Sequence, residues 1–213
     1  MPSYIEKAEQ ITLPVAVLHG AVAFPSVPIN FEALDDASVD AIRAAGAGSA
    51  FLFLVTATEE LPPSSNPEFS QLYRVGTVAK IKQMLRTPEG TTRVIAEGFS
   101  RAMVADYRRV GDHIEADLIC KTVSMPDNGG IRGTACIREM LNVLEQSLRF
   151  LPTGSADLFS SAGLIDNPGM LADFIAANIP NSTEMILEGE THTSHIVHNT
   201  KIAEIILEVT GKK

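Results

Sequence analysis

The chain lacks most of what marks the commoner function classes. It has no surplus of basic charge: 26 acidic residues face 17 basic ones, for a formal net charge of -9. A general nucleic-acid binder needs a cationic face for the phosphates, so that class is not expected. It has two cysteines, Cys120 and Cys136, too few for a disulfide framework. It has no tryptophan and only 6% aromatic residues, so Leu, Ile, Val and Ala must build the core. No apolar run approaches the ~18 residues of a membrane-spanning helix. The longest uncharged apolar-rich stretch, Ala44 to Ala57, is broken by Gly46 and Gly48. The opening MPSYIEKAEQITLP carries no basic region followed by an apolar one, so no signal peptide is visible. A reduced, cytoplasmic, globular protein is expected.

Catalytic signatures are missing as well. There is no GxxxxGK[ST] loop to cradle phosphates, no GxGxxG after a strand, no HExxH and no GxSxG elbow. Gly46-Ala47-Gly48 follows a helical stretch and reads as a helix end. His192, His195 and His198 are spaced by three, and neighbouring pairs could share a metal on a helix. No acidic or cysteine ligand supports them, and a polar surface segment explains them better. His19 and His113 could each titrate as a general base, but neither has a partner that the sequence places beside it. Ser155, Ser160 and Ser161 read as loop or cap residues. The pairs Asp35-Asp36 and Glu59-Glu60 read as caps and solvated loops.

What is present is a change of hydrophobic period. Residues 11–18 read as a strand, with Pro14 confined to an edge or to the strand's first part, because proline donates no ladder bond. The segment AFPSVPINF, with Pro25 and Pro28, reads as an extended loop. Asp35 or Asp36 caps a helix over 36–45 that Gly46 and Gly48 end. Phe51 to Val55 is a buried strand. A polar, proline-punctuated loop covers 58–70. Residues 73–87 alternate imperfectly and form a strand, with a turn at Pro88-Glu89-Gly90. Thr92 to Glu97 returns as its hairpin partner. Two further strands, Arg101 to Tyr107 and Asp112 to Thr122, join at Val110-Gly111. After Pro126 the spacing turns helical, through Ile137, Met140, Leu141, Leu144, Leu148 and Leu151. A short segment begins at Asp157 and is interrupted at Ser160 to Gly163. Asp166-Asn167-Pro168-Gly169 starts a helix that stops before Pro180. A last helix is expected over 196–209. The fold class is therefore α+β: a strand-rich domain over 8–125 and an all-helical unit of four or five short helices over 126–213.

Several of these segments resemble the N-terminal domain of the Lon family of ATP-dependent proteases. Leu13-Pro14-Val15, Leu18 and Phe24-Pro25 open the match. Leu72-Tyr73-Arg74-Val75-Gly76-Thr77-Val78-Ala79-Lys80-Ile81 is its most specific stretch. Glu97-Gly98-Phe99-Ser100-Arg101-Ala102 resembles the family's E-G-hydrophobic-x-R-A step. Ile165 to Asp173 resembles its D-x-P-G-x-L-A-D helix start, and Ala176-Ala177-Asn178-Ile179-Pro180 its exit. The chain departs at His19-Gly20, where the family commonly has Arg-Asp, and at Pro28 and Asn30.

The resemblance implies a six-stranded, PUA-like curled sheet or barrel followed by a small helical bundle. In the family this unit precedes a long helix, an ATPase module and a Ser-Lys peptidase. No cofactor is expected for this chain; ATP and Mg belong to the modules it lacks. The implied role is non-catalytic: capture of unfolded or tagged proteins for delivery to an ATPase and peptidase ring. A module serving mainly self-association, and a free-standing relative that binds peptides, are the alternatives. A homo-oligomer is expected through the full-length protein, with at most a weak dimer of this chain and no membrane partner. Capture needs apolar residues at turns and loops. The candidates are Phe24, Val27, Ile29 and Phe31 in the proline-rich segment, and Met84, Leu85, Phe99 and Arg101 in the hairpin region. Lys80, Lys82, Arg86, Arg101, Arg108 and Arg109 form the one locally basic stretch. It is a possible face for acidic or extended peptides, and equally a solvated hairpin face.

Overall fold

The computed structural model describes residues 5–59, 66–87, 91–124, 130–147 and 155–179. The chain divides into two compact units: Lys7–Thr122, and Val123–Lys213 together with Met1–Glu6.

The first unit is a six-stranded sheet. Its strands are β1 (Ile5–Leu18), β2 (Pro28–Ala33), β3 (Phe51–Thr56), β4 (Val75–Arg86), β5 (Thr92–Val110) and β6 (His113–Ser124). They lie in the order β2-β5-β4-β3-β1-β6, and β6 also pairs with β5. Five strands thus return on themselves, and β2 hangs from β5 as the outermost strand. β1 and β3 run parallel, from Val15 opposite Phe53 to Leu18 opposite Thr56, which requires a crossover. Helix α1 (Asp36–Ala47) supplies it.

Residue type explains these elements. In α1, Ala37, Ala41, Ile42 and Ala45 recur at helical spacing and are buried. The Asp35 carboxylate caps the helix by accepting the Ser38 N–H at 2.7 Å. Ser38 Oγ donates to the same carboxylate at 2.7 Å and accepts the Val17 N–H at 2.9 Å, which ties the helix start to β1. In β3, Leu52 to Val55 are all buried, because both faces of this strand are covered. One core holds Val15, Val17, Phe53, Val55, Val78, Ile114 and Leu118. The other, beneath α1, holds Ala16, Leu18, Phe31, Ile42, Leu52, Leu54, Ala79, Val94 and Ala96.

Four sequence expectations change here. Pro14 sits well inside β1, not at an edge or at its start; the β1–β3 ladder begins one residue later, at Val15, so the missing N–H interrupts nothing there. The AFPSVPINF segment is not all loop: Pro28 to Ala33 form β2, with proline at the first residue of an outermost strand, where it is tolerated. The stretches 92–97 and 101–107 are one 19-residue strand, because bulges absorb the break in period. Gly46 lies inside α1 and only Gly48 caps it.

The second unit contains α2 (Gly130–Ser147), α3 (Ser155–Ala162) and α4 (Pro168–Asn178). Leu144, Ala162 and Leu171 are its buried centre, with Ile137, Met140, Leu141, Leu158, Phe174 and Ile175 packed around them. Asn167 caps α4, accepting the N–H groups of Gly169 and Met170 at 3.0 Å, and Pro168 fills the first turn. Ser160 and Ser161 lie within α3, so the interruption expected there comes only after Ala162. The turn at 88–90, the helix expected over 196–209 and the three spaced histidines lie outside the described residues.

Candidate functional site

Strand register sorts the hairpin side chains onto two faces. Directly opposed residues share a face, and neighbours along a strand alternate. Phe51, Lys80, Glu97 and Pro28 form one row across β3, β4, β5 and β2. Gln83, Ile95 and Asn30 form the next row, and Leu85, Arg93 and Glu32 the one after. On the opposite face the rows are Ile81, Ala96 and Ile29, then Met84, Val94 and Phe31. That second face is the core beneath α1.

Phe99 breaks the alternation. Ser100 stands opposite Val78 and Gly98 opposite Ala79, so Phe99 is the extra residue of a β-bulge. Its side chain is 69% exposed, the most exposed aromatic of the described β unit. Its ring meets the half-buried Phe51 ring edge-on, with centroids 5.7 Å apart and planes at 76°. The Lys80 ammonium lies 5.6 Å from the Phe51 centroid on the same row. Leu85, 47% exposed, continues this face toward the hairpin tip. The site is an apolar strip, Phe51-Phe99 at one end and Leu85 at the other. Between them lie Ile95 and a Lys82–Glu97 ion pair of 2.6 Å.

A backbone crossing holds the bulge. The Ser26 N–H donates to Gly98 O at 2.9 Å, and the Gly98 N–H to Val27 O at 3.1 Å. A Cβ on Gly98 would fall inside the Phe24 carbonyl oxygen and only 2.9 Å from its carbon. Nearby, the buried Thr77 hydroxyl donates to Ala23 O at 2.7 Å. The proline-rich segment is therefore clamped onto β5 beside Phe99.

The eight candidate side chains do not come together. Phe24 and Phe31 are buried, Ile29 packs on the core beneath α1, and Val27 is half-buried. They support the site from behind and present little surface, so the expectation that they contact substrate does not fit their burial. Met84, though 45% exposed, lies on the α1 face, close against Gly46. Arg101 is half-buried opposite Thr77. Phe99 and Leu85 alone share the open face. The basic stretch is no single face either. Lys82 pairs with Glu97, and Arg108 is held by Glu115 at 2.7 Å and Asp117 at 3.0 Å, which raises its affinity for its proton. His19 Nε2 stands 3.8 Å from the buried Asp35 carboxylate, and His113 Nε2 3.7 Å from Glu115.

Sequence reasoning missed two features. Phe51 reads as core in the run FLFLV, yet as the first residue of β3 its ring reaches the open strip. Phe69 lies in the polar loop, yet it stacks on Tyr107 with centroids 5.6 Å apart. Together with Leu72, Arg74 and Asp106 these rings line a cavity of about 350 Å³. The Tyr107 hydroxyl donates to Tyr73 O at 2.8 Å, and burial pushes its acidity far below that of a free tyrosine. Burial also pushes the Cys120 and Cys136 thiols up. Among the described residues no cluster of His, Cys, Asp and Glu could hold a metal, and no helix is long and apolar enough to cross a membrane.

Comparison with known proteins places this geometry. The family model of the ATP-dependent protease La (LON) substrate-binding domain matches residues 12–188. Lon protease of Bacillus thuringiensis is 30% identical over 172 residues, covering 81% of this chain and 21% of that protein. Lon protease of Escherichia coli K12 is 29% identical over 175 residues, covering 82% of this chain and 22% of that protein. The chain thus spans about a fifth of the length of the curated relatives it matches. Among solved structures, the N-terminal domain of a Mycobacterium avium complex Lon protease superposes with a TM-score of 0.62 at 18% identity, covering 94% of this chain and 98% of that one. The two halves observed here, a sheet followed by helices, are the α+β arrangement of that fold. The chain belongs to the ATP-dependent protease La (LON) substrate-binding domain family.

Proposed function

We propose that this chain captures unfolded or damaged polypeptides through the strip formed by Phe99, Phe51 and Leu85, on behalf of an ATP-dependent Lon-type protease. The observation that carries this reading is Phe99. A bulge lifts its ring out of the sheet to 69% exposure, and Phe51 and Gly98 hold it there. Large aromatics exposed at a fixed place are anchors for apolar side chains that folded proteins keep hidden. The mixed charges beside the strip keep it soluble without selecting one sign of partner.

In this reading residues 8–125 form a PUA-like barrel and 126–213 the helical subdomain. The ATPase and peptidase, with their ATP and Mg, lie in the rest of a longer cytoplasmic protein whose oligomer sets the number of capture sites. Weak single sites then gain from multivalency.

The test is titration of the 213-residue chain with reduced, carboxymethylated α-lactalbumin beside the native form, at low and high salt. Selective binding to the unfolded form that persists at high salt is expected, because apolar contacts are not screened. Phe99→Ala is expected to weaken it at least tenfold, since burying one phenyl ring is worth roughly 1.5–3 kcal/mol. No preference for the unfolded form, with the chain instead dimerising as its concentration rises, would replace capture by self-association.

A further inference from the structure

We propose that the outer edge of β2 is a strand-docking site, and that its occupant is an extended segment of an unfolded polypeptide pairing through its own backbone. The inference rests on the capture reading above and adds how the captured chain is held.

Among the described residues β2 pairs with β5 and with no other strand. In an antiparallel ladder, residues alternate between exchanging both bonds with their partner and pointing both groups away from it. The Gly98 N–H bond to Val27 O fixes the phase. Counting from that pair, Ile29, Phe31 and Ala33 face β5, while Pro28, Asn30 and Glu32 face outward. The far side of β5 agrees. The Thr87 N–H to Thr91 O bond at 2.9 Å makes Leu85 and Arg93 a bonded pair, which turns Val94 and Ala96 toward β2.

The outer edge therefore offers the N–H and C=O of Asn30, the N–H and C=O of Glu32 and the C=O of Pro28. Among the described residues nothing bonds to any of these groups. Asn30 is exposed and Glu32 partly so. Residues two apart in a strand lie ~6.8 Å apart, the spacing of the matching groups in any extended chain. Pro28 and the charged Glu32 are the blunting devices on this edge; neither lysine nor a bulge interrupts 30–32.

The edge fits an unfolded segment better than a second copy. Self-pairing would crowd both Glu32 carboxylates into one two-residue ladder and join two chains of net charge -9. Backbone pairing asks nothing of the partner's sequence, which suits a binder of unfolded proteins as a class. The guest's side chains would continue the rows of Asn30 and Glu32, two strands from Ile95 and three from Leu85.

The test is hydrogen exchange of the full 213-residue chain, free and saturated with carboxymethylated α-lactalbumin. The amides of Asn30 and Glu32 are expected to exchange at least tenfold more slowly when bound, while those of Ile29 and Phe31 are protected in both states. Asn30→Pro and Glu32→Pro each remove one outward N–H without touching the β5 ladder, and each is expected to weaken binding at least fivefold. Binding with unchanged exchange at both amides overturns the edge and leaves capture standing. No binding by the wild-type chain overturns both. Protection that grows with protein concentration and needs no probe overturns the occupant in favour of a second copy.

Discussion

Gly98→Ala is the sharpest perturbation available to this fold. A Cβ at that position would overlap the Phe24 carbonyl oxygen and lie 2.9 Å from Phe24 C and 3.2 Å from Pro25 Cα. All three atoms are backbone, so no side chain can swing aside. The proline-rich segment must lift off β5. Overpacking of this kind costs about 1–3 kcal/mol, and the lift strains two hydrogen bonds worth about 1 kcal/mol each. A loss of about 3–5 kcal/mol is expected. At a slope of about 2 kcal/mol per molar urea, the unfolding midpoint falls by ~1.5 M or more. The assay reads tyrosine emission, because two of the three tyrosines, Tyr73 and Tyr107, lie in the sheet unit. Gly46→Ala is the control. There the new Cβ meets the Met84 methyl at 2.8 Å, the free end of a flexible side chain, and helix propensity gains about 1 kcal/mol. That variant should stay within about 1 kcal/mol of wild type. Equal stability of Gly98→Ala and wild type, within about 0.5 kcal/mol, would refute the clamp and with it the account of why Phe99 stands out.

Three further outcomes follow from the same contacts. Thr77→Val keeps the shape but orphans Ala23 O, so it should cost about 1–2 kcal/mol in the same urea assay. Tyr107 titrates above its unfolded value near 10; its contribution is complete below that pH and is lost as pH rises past it. Stability measured from pH 9 to 11 should therefore fall, and Tyr107→Phe should flatten the decline. Asn167→Ala should remove about 1 kcal/mol from the helical unit, read by circular dichroism at 222 nm during thermal unfolding.

The two motif glycines show how far the sequence reached. Gly76 and Gly98 sit in the stretches that carry the family resemblance, and each marks a close crossing. A Cβ at Gly76 would strike Leu54 O and the Phe53 ring, the latter at 2.6 Å. The pattern located these positions; the crossing partners, separated by many residues, were not visible in it. The helix caps at Asp35 and Asn167 were legible because capping is local chemistry between residues two or three apart. The single strand β5 was not, since a bulge shifts the alternation and imitates a strand break.

The candidate site divides the same way. Phe99 and Leu85 were legible as apolar residues near turns, and so were Phe24 and Phe31, with no local difference between the two pairs. Register made the difference. The row of Phe31 and Val94 faces helix α1, while the row of Leu85 and Arg93 faces open solvent. The sequence by itself determined the α+β class, the change of period near Pro126, the caps and the family, because each is written in residues close together. Which apolar side chains are covered, which strand is left at the edge and which ring a bulge lifts into solvent were decided by tertiary pairing. Each depends on what lies opposite, and no spacing along one chain encodes that.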